Sequence, residues 1–341
     1  MPLFRKRPAA LAAGLLAAAL SASVAAEEVN LYTTREPGLI QPLLDAFIQE
    51  TGIKVNSIFV RDGLAERVAA EGTRSPADVL MTVDFGNLID LVEKGLTQPV
   101  ESAVLNEAIP SHLRDENGHW YALSMRARVV YAAKDLPIET FNYEQLDDAK
   151  WRGKLCIRSG QHPYNTALIA AHIVYHGEDA TRAWLEGMKR NLARAATGGD
   201  RDVARDIMGG ICDIGVGNSY YVGLMRSGRG GPEQVKWGEA IKVILPTFEN
   251  GGTHVNISGA AVAHHSPNRE QAVRLLEYLV SDAAQKLYAE ANFEYPVKPG
   301  VEVDPLIAAL GELTVDSTPL VEIARHRDAA SRLVDRVRFD Q

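Results

Sequence analysis

The residues with the most chemical promise in this chain are Gly217-Asn218-Ser219-Tyr220-Tyr221. They follow an apolar, strand-like run and precede Val222-Gly223-Leu224-Met225, so the segment is expected to open a helix with Asn218 or Ser219 as its N-cap. In the first turn of a helix, neighbouring side chains are about 100° apart, so both phenols can lean toward one object beyond the helix end. On a strand they would face opposite ways. The positive end of the helix also favours a phenolate over a phenol. Adjacent tyrosines equally suit packing or stacking against a sugar, and the pair alone does not separate these uses.

A third tyrosine has a similar setting. The run Arg158-Ser159-Gly160-Gln161-His162-Pro163-Tyr164-Asn165 passes from a strand through a loop into a helix, which places Tyr164 near a second helix start. The two cysteines, Cys156 and Cys212, connect these regions, each lying in an apolar strand-like run, 154–158 and 210–214. In an oxidising compartment such a pair suggests a disulfide between neighbouring strands, with two buried free thiols as the competing reading. The loop-entropy model gives such a bridge ~3–4 kcal/mol. With the bridge in place the two strand ends are neighbours, and Tyr164 approaches Tyr220 and Tyr221. Three phenolates suit a hard trivalent cation: their charge matches that of Fe³⁺ and offsets part of the cost of desolvating it.

The elements that must position these residues follow from periodicity. An alternating strand at Val29-Asn30-Leu31-Tyr32 leads through a turn into a helix over 39–51, with Pro42 admissible only in its first turn. A strand over 53–60, a helix over 64–71, a buried strand over 78–82 and a helix over 88–94 come next. Strands alternating with helices predict an α/β fold with a largely parallel sheet. Extended runs at 121–124 and 127–132 suggest a long strand pair that carries the chain between lobes. A second alternation follows, with a strand over 155–158, helices over 164–176 and 180–191, and a strand over 211–216. An apolar strand at 256–263 and a helix over 269–280 then lead back.

The expected architecture is two α/β lobes with a cleft between them, and ligands in such folds lie at strand ends and helix starts inside the cleft. The first lobe takes 27–125 and a return segment 254–305, the second takes 126–253, and 306–341 forms a C-terminal helical segment on the second lobe.

The first 26 residues stand apart. Arg5, Lys6 and Arg7 precede an apolar stretch over 9–22, and small residues then run up to Ala26, the pattern of a secretory signal peptide cleaved near that residue. The apolar run is too short to anchor comfortably in a bilayer, which needs roughly 20 residues. Removal of this leader takes the formal net charge from −8 to −11, a balance that argues against nucleic acid or anionic lipid as partners. The mature chain is expected to be periplasmic, soluble and not embedded in a membrane.

Several words of the sequence, taken together, resemble one family. They are Val29-Asn30-Leu31-Tyr32-Thr33-Thr34-Arg35, Glu50-Thr51-Gly52-Ile53, Pro76-Ala77-Asp78-Val79, Arg126-Ala127-Arg128-Val129-Val130-Tyr131, Gly217-Asn218-Ser219-Tyr220-Tyr221 and Glu294-Tyr295-Pro296. From Val29 to about Val301 the chain is similar to the ferric iron-binding periplasmic proteins of ABC transporters, within the two-lobed type II periplasmic binding fold. The resemblance implies that Tyr220 and Tyr221 are adjacent iron ligands and that Tyr164 matches the third tyrosine of one subfamily. It implies a permease partner in the inner membrane, and the protein is expected to be a monomer.

In the first lobe the chain departs from the pattern. Glu36 stands where some relatives have a histidine, and Val83 where some have a glutamate. Glu36 remains a candidate oxygen ligand beside the plainer reading of an exposed helix-start acid, and Asp84 is a lesser candidate. The missing ligands make a synergistic anion such as carbonate attractive. Arg126 resembles the family's arginine near that anion and could lower a tyrosine pKa. Arg35 is a second candidate, and both could equally be salt-bridge residues.

Among the histidines only His172 and His176 have helical spacing, in an apolar run that suggests packing, while His162 lies near the proposed site. The main alternative is a binding protein of the same fold for an organic cation, boxed by aromatic rings, or for an oxyanion. No G-x-S-x-G, H-E-x-x-H, P-loop or paired-cysteine zinc pattern is present, so catalysis is not expected.

Overall fold

Among the described residues, runs rich in β-branched and apolar side chains form ten strands: β1 (Glu28–Thr33), β2 (Lys54–Phe59), β3 (Val79–Thr82), β4 (Thr97–Gln98), β5 (Tyr121–Ala133), β6 (Leu155–Cys156), β7 (Ile214–Asn218), β8 (Ile241–Ile244), β9 (Val255–Ala263) and β10 (Tyr295–Pro296). This computed structural model describes residues 27–341, so the leader over 1–26 and its cleavage near Ala26 lie outside the described residues. β1 pairs in parallel with β2 and β3, while β9 runs antiparallel to both β3 and β5. Every residue of β3 is buried, as expected for a strand covered on both faces.

β5 joins two sheets. The extended runs that suggested a pair of strands are one continuous strand of 13 residues. Up to Ala127, paired with Val255, it belongs with β9; from Arg128, paired with Asn218, it belongs with β7 and β8. The chain therefore leaves one sheet and enters the other without a turn. β6 completes the second sheet, parallel to β7.

Helices cover both sheets. The first, Pro37–Thr51, buries Ile40, Leu43, Leu44 and Phe47 and ends at Gly52, whose φ of 74° favours a residue without a Cβ. Pro42 lies inside this helix, not in its first turn, so the expectation fails there. The helix starts two residues earlier than its apolar periodicity indicated, and it tolerates the loss of one ladder bond near its start. The helical run Pro163–Asn191 breaks at Gly177 (φ 79°), which divides it into two helices as the sequence predicts.

The disulfide is formed. Cys156 lies on β6, and Cys212 lies two residues ahead of β7 instead of within it, with 5.9 Å between the Cα atoms. The bridge thus joins β6 to the segment that leads into β7, and each strand runs on toward one of the two helices. At the C-terminus, the helix Arg327–Val337 packs on Pro163–Asn191, and Gln161 Nε2 donates to Ser331 O (3.0 Å) and Asp335 Oδ1 (2.8 Å). Among the described residues, no helix is long and apolar enough to cross a membrane.

Candidate functional site

β7 ends at Asn218, and the helix Ser219–Arg226 begins on the next residue, so Tyr220 and Tyr221 are its second and third residues. Asn218 occupies the N-cap position without capping through its side chain, because its Oδ1 accepts from Arg128 Nη1 at 3.0 Å. Ser219 Oγ is also engaged elsewhere, accepting from Ala127 N at 3.1 Å. Gly217 is required by space: a Cβ there would sit 2.3 Å from the Tyr131 ring, and Tyr131 Oη donates to Asn218 O at 2.6 Å. Strand and helix therefore meet in one tightly held corner, and the two tyrosine rings lie 4.1 Å apart at 33°.

Tyr164 has the matching position on the other helix, as the second residue of Pro163–Asn191. The N-cap there is His162, whose Nδ1 accepts from Tyr164 N at 3.2 Å. Burial first, then Arg158, pushes the His162 imidazole down to about 4, so the ring stays neutral and can accept that bond.

Six of the residues singled out from the sequence, Arg35, Glu36, Arg126, Tyr164, Tyr220 and Tyr221, line one cleft of about 400 Å³. Glu36 is exposed at its rim and makes no capping bond to the helix it precedes. Val83 lines the cleft too. Asp84 does not: it is buried as the N-cap of the helix Phe85–Glu93, accepting from Gly86 N (3.0 Å), Asn87 N (3.3 Å) and Asn256 Nδ2 (2.7 Å).

The wall of the cleft carries more positive than negative charge. Arg35 is 3 % exposed and Arg126 1 %, and both surround the buried carboxylate of Glu294. Arg35 Nη1 donates to Glu294 Oε1 at 2.9 Å and Nη2 to Oε2 at 3.1 Å, while Arg126 Nη1 stands 4.0 Å from Oε2. Ser258 accepts from both guanidinium groups, and Ser124 donates to Glu294. Burial opposes the ionised Glu294, but Arg35 and then Arg126 outweigh it and hold the carboxyl below its ordinary range. One carboxylate between two arginines leaves a net positive charge beside the cleft. Arg35 is thus a salt-bridge residue and a cleft residue at once.

The tyrosines respond differently from the expectation. Burial first, then the charges that Tyr164 and Tyr221 would carry, pushes the Tyr220 phenol well above its ordinary value; Arg126 opposes this and loses. Tyr221 is also raised, by burial and then by Tyr164 and Asp200. At neutral pH both are therefore phenols, and a cation that took them as phenolate ligands would have to displace the protons.

Further cations went unnoticed in the sequence. Arg201, on the helix Asp200–Met208, places its Cζ 5.6 Å from the Tyr221 ring and lines the cleft. Arg158 is another, 5.3 Å from the Tyr164 ring, which the already identified Arg126 approaches at 5.5 Å. Glu294 was visible only as part of a family word; nothing in its spacing connects it to Arg35, 259 positions away. His172 and His176 are packing residues. His172 stacks on Trp184 with ring centroids 4.2 Å apart, and His176 Nε2 meets Glu144 Oε1 at 2.8 Å.

Chemically, the site offers three phenol oxygens from two helix starts, and cationic walls. Phenolates are hard oxygen donors suited to a hard, highly charged cation, and the arginines suit an anion bound beside it. Among the described residues, no group of three or more His, Cys, Asp and Glu side chains could hold a metal ion.

Comparison with known proteins bears on this arrangement. A family model described as bacterial extracellular solute-binding protein matches residues 74–309. The chain is 41% identical over 321 residues to iron uptake protein A2 of Synechocystis sp., covering 93% of this chain and 91% of that protein. A solved Bordetella ferric binding protein is 63% identical, with a TM-score of 0.89 over 92% of this chain and 100% of its own. A Trichodesmium protein solved with iron and citrate ligands is 41% identical, with a TM-score of 0.87 over 91% and 99%.

Proposed function

This chain belongs to the bacterial extracellular solute-binding proteins and has the two-lobed type II fold, and we propose that it is the periplasmic ferric iron-binding protein of an iron-uptake system. In this reading Tyr164, Tyr220 and Tyr221 bind Fe³⁺ as phenolates. Glu36 is the one acidic side chain at the rim that could add an oxygen. Arg126 and Arg35 hold a synergistic anion such as carbonate, which fills coordination positions that the protein leaves open.

The observation that carries this reading is the convergence of three tyrosines, from two helix starts whose preceding segments are joined by a disulfide, in one cleft bordered by arginines. The relatives named for iron uptake and ferric binding support the choice of cation. The protein carries its ligand and performs no reaction on it. Capture proceeds with the second-lobe tyrosines binding first and the first lobe then shielding the ion from hydrolysis. A leader cleaved near Ala26 delivers the chain to the periplasm, and the loaded monomer docks on an inner-membrane ABC permease.

The test is a visible absorption titration of the mature protein with a ferric chelate in bicarbonate buffer. A phenolate-to-iron charge-transfer band that saturates at one iron per protein, and weakens in Tyr164→Phe and in Tyr220→Phe, is the expected result. If no band forms, ferric tyrosinate binding is wrong, and the same cleft is then screened with organic cations.

A further inference from the structure

The three tyrosines stand on helix starts that share one buried side chain. Arg128, 2 % exposed, lies where β5 passes from one sheet to the other, and none of its atoms lines the cleft. Its Nη2 donates to Asn165 Oδ1 at 2.5 Å, the residue next to Tyr164. Its Nη1 donates to Asn218 Oδ1 at 3.0 Å, two residues before Tyr220, and to Asp200 Oδ2 at 2.7 Å. The same Asp200 oxygen accepts from Asn218 N at 2.9 Å, and the other faces Arg158 Nη1 at 3.3 Å. Asn165 Nδ2 closes the set by donating to Arg158 O and Ser159 O, both at 3.0 Å. The helices that begin at Pro163, Asp200 and Ser219 are therefore gripped by a single planar fork.

We propose that Arg128, anchored by Asp200, is the positioning residue of the tyrosine site, setting the distance between Tyr164 and the Tyr220-Tyr221 pair. The proposal rests on the tyrosine-ligand reading above. A guanidinium suits this task because its donors leave a rigid plane in fixed directions, whereas lysine is a point charge on a flexible stem. A buried ion pair is weak evidence for stability, since well-packed apolar residues often do as well. What an apolar replacement cannot do is hold two asparagines, one in the first turn of a helix and one at the N-cap position of another, at a set separation. Metal sites lose affinity when the groups that orient their ligands are loosened.

The experiment uses the full mature chain and ferric nitrilotriacetate in bicarbonate buffer. Arg128→Lys loosens every limb, and Asn165→Ala cuts the limb beside Tyr164 together with the Asn165 bonds to Arg158 O and Ser159 O, so the second variant carries the test if the first does not fold. Both are expected to lose roughly 10–100-fold in ferric affinity, with the saturated charge-transfer band weakened toward that of Tyr164→Phe. In a Tyr164→Phe background, Asn165→Ala is expected to cost nothing further in affinity or band, because the ligand it positions is gone.

Two results overturn the proposal while leaving the tyrosine reading intact. One is a variant that loses thermal stability yet keeps wild-type affinity and band; the other is an equal loss from Asn165→Ala in both backgrounds. A wild type without the band, or one whose band Tyr164→Phe leaves unchanged, overturns the tyrosine reading and the proposal with it.

Discussion

If the tyrosines bind iron as proposed, loading this cleft must expel protons, and Tyr220 is where the count is most telling. Its phenol is pushed well above the ordinary range by burial and then by Tyr164 and Tyr221, and Tyr221 is raised as well, so both carry protons at neutral pH. On that reading the iron-free protein holds those protons and the loaded one does not, so mass action favours loading as pH rises and release as it falls. Each displaced proton is worth about 1.4 kcal/mol per pH unit, roughly tenfold in affinity, and two make it about a hundredfold per unit. Between pH 6 and pH 8 the affinity should therefore rise about ten-thousandfold from these two phenols alone.

The perturbation is Tyr220→Phe, and the assay titrates ferric nitrilotriacetate into weakly buffered protein while base consumption is recorded. The difference between wild type and variant cancels the protons of the chelate. The count is paired with a near-ultraviolet tyrosinate difference spectrum on loading a spectroscopically silent trivalent cation such as Ga³⁺, which a hydroxide in the vacated position cannot imitate. The variant should show one tyrosinate fewer, and its affinity should depend less steeply on pH. Loading of the wild type without a tyrosinate signal, or an unchanged signal in the variant, would refute the reasoning.

Three further outcomes follow from the packing. Glu294→Gln strips the carboxylate from between Arg35 and Arg126, which are 3 % and 1 % exposed, and leaves two buried cations repelling each other. The expected loss is about 3–5 kcal/mol in denaturant unfolding, and a change below 1 kcal/mol would show the arginines are otherwise compensated. Cys156→Ser with Cys212→Ser opens a loop whose ends are 56 positions apart. It should cost ~4 kcal/mol, matched by wild type under strong reductant and absent if the bridge is not formed. Gly217→Ala drives a methyl to within 2.3 Å of the Tyr131 ring. It should cost about 1–3 kcal/mol of stability and weaken ferric binding, since the helix start bearing Tyr220 must move; unaltered binding would show that the corner relaxes locally.

The ligand candidates were legible because their signals are local. A phenol pair after a strand and before an amphipathic helix is a statement about five consecutive residues, and Tyr164 has the same local setting. The disulfide needed one long-range inference, supported by the presence of only two cysteines in an exported chain. Pro42 misled because the apolar stripe marks which face is buried, not where the helix begins, and Pro37 begins it. The charge of the cleft was legible only in part. Arg35 and Arg126 were visible as candidates, but which carboxylate balances them was not, because Glu294 comes from the far end of the chain. Arg126 was expected to bring a phenol down, and the opposite direction won because the desolvation of Tyr220 and Tyr221 is a property of the packed cleft.

What the sequence determined by itself is therefore the export pattern, the α/β class, the residue types offered to a ligand and the helix starts that present them. These depend on periodicity, capping and composition over a few residues. What only the tertiary structure decided is the separation and protonation of those residues, and the single fork of Arg128 that holds Asn165 and Asn218 together. The physical reason is that distance and desolvation depend on segments brought together by folding. One strand, β5, threads both sheets and places Arg126 and Arg128 on the same side beneath helices that local patterns describe but cannot bring together.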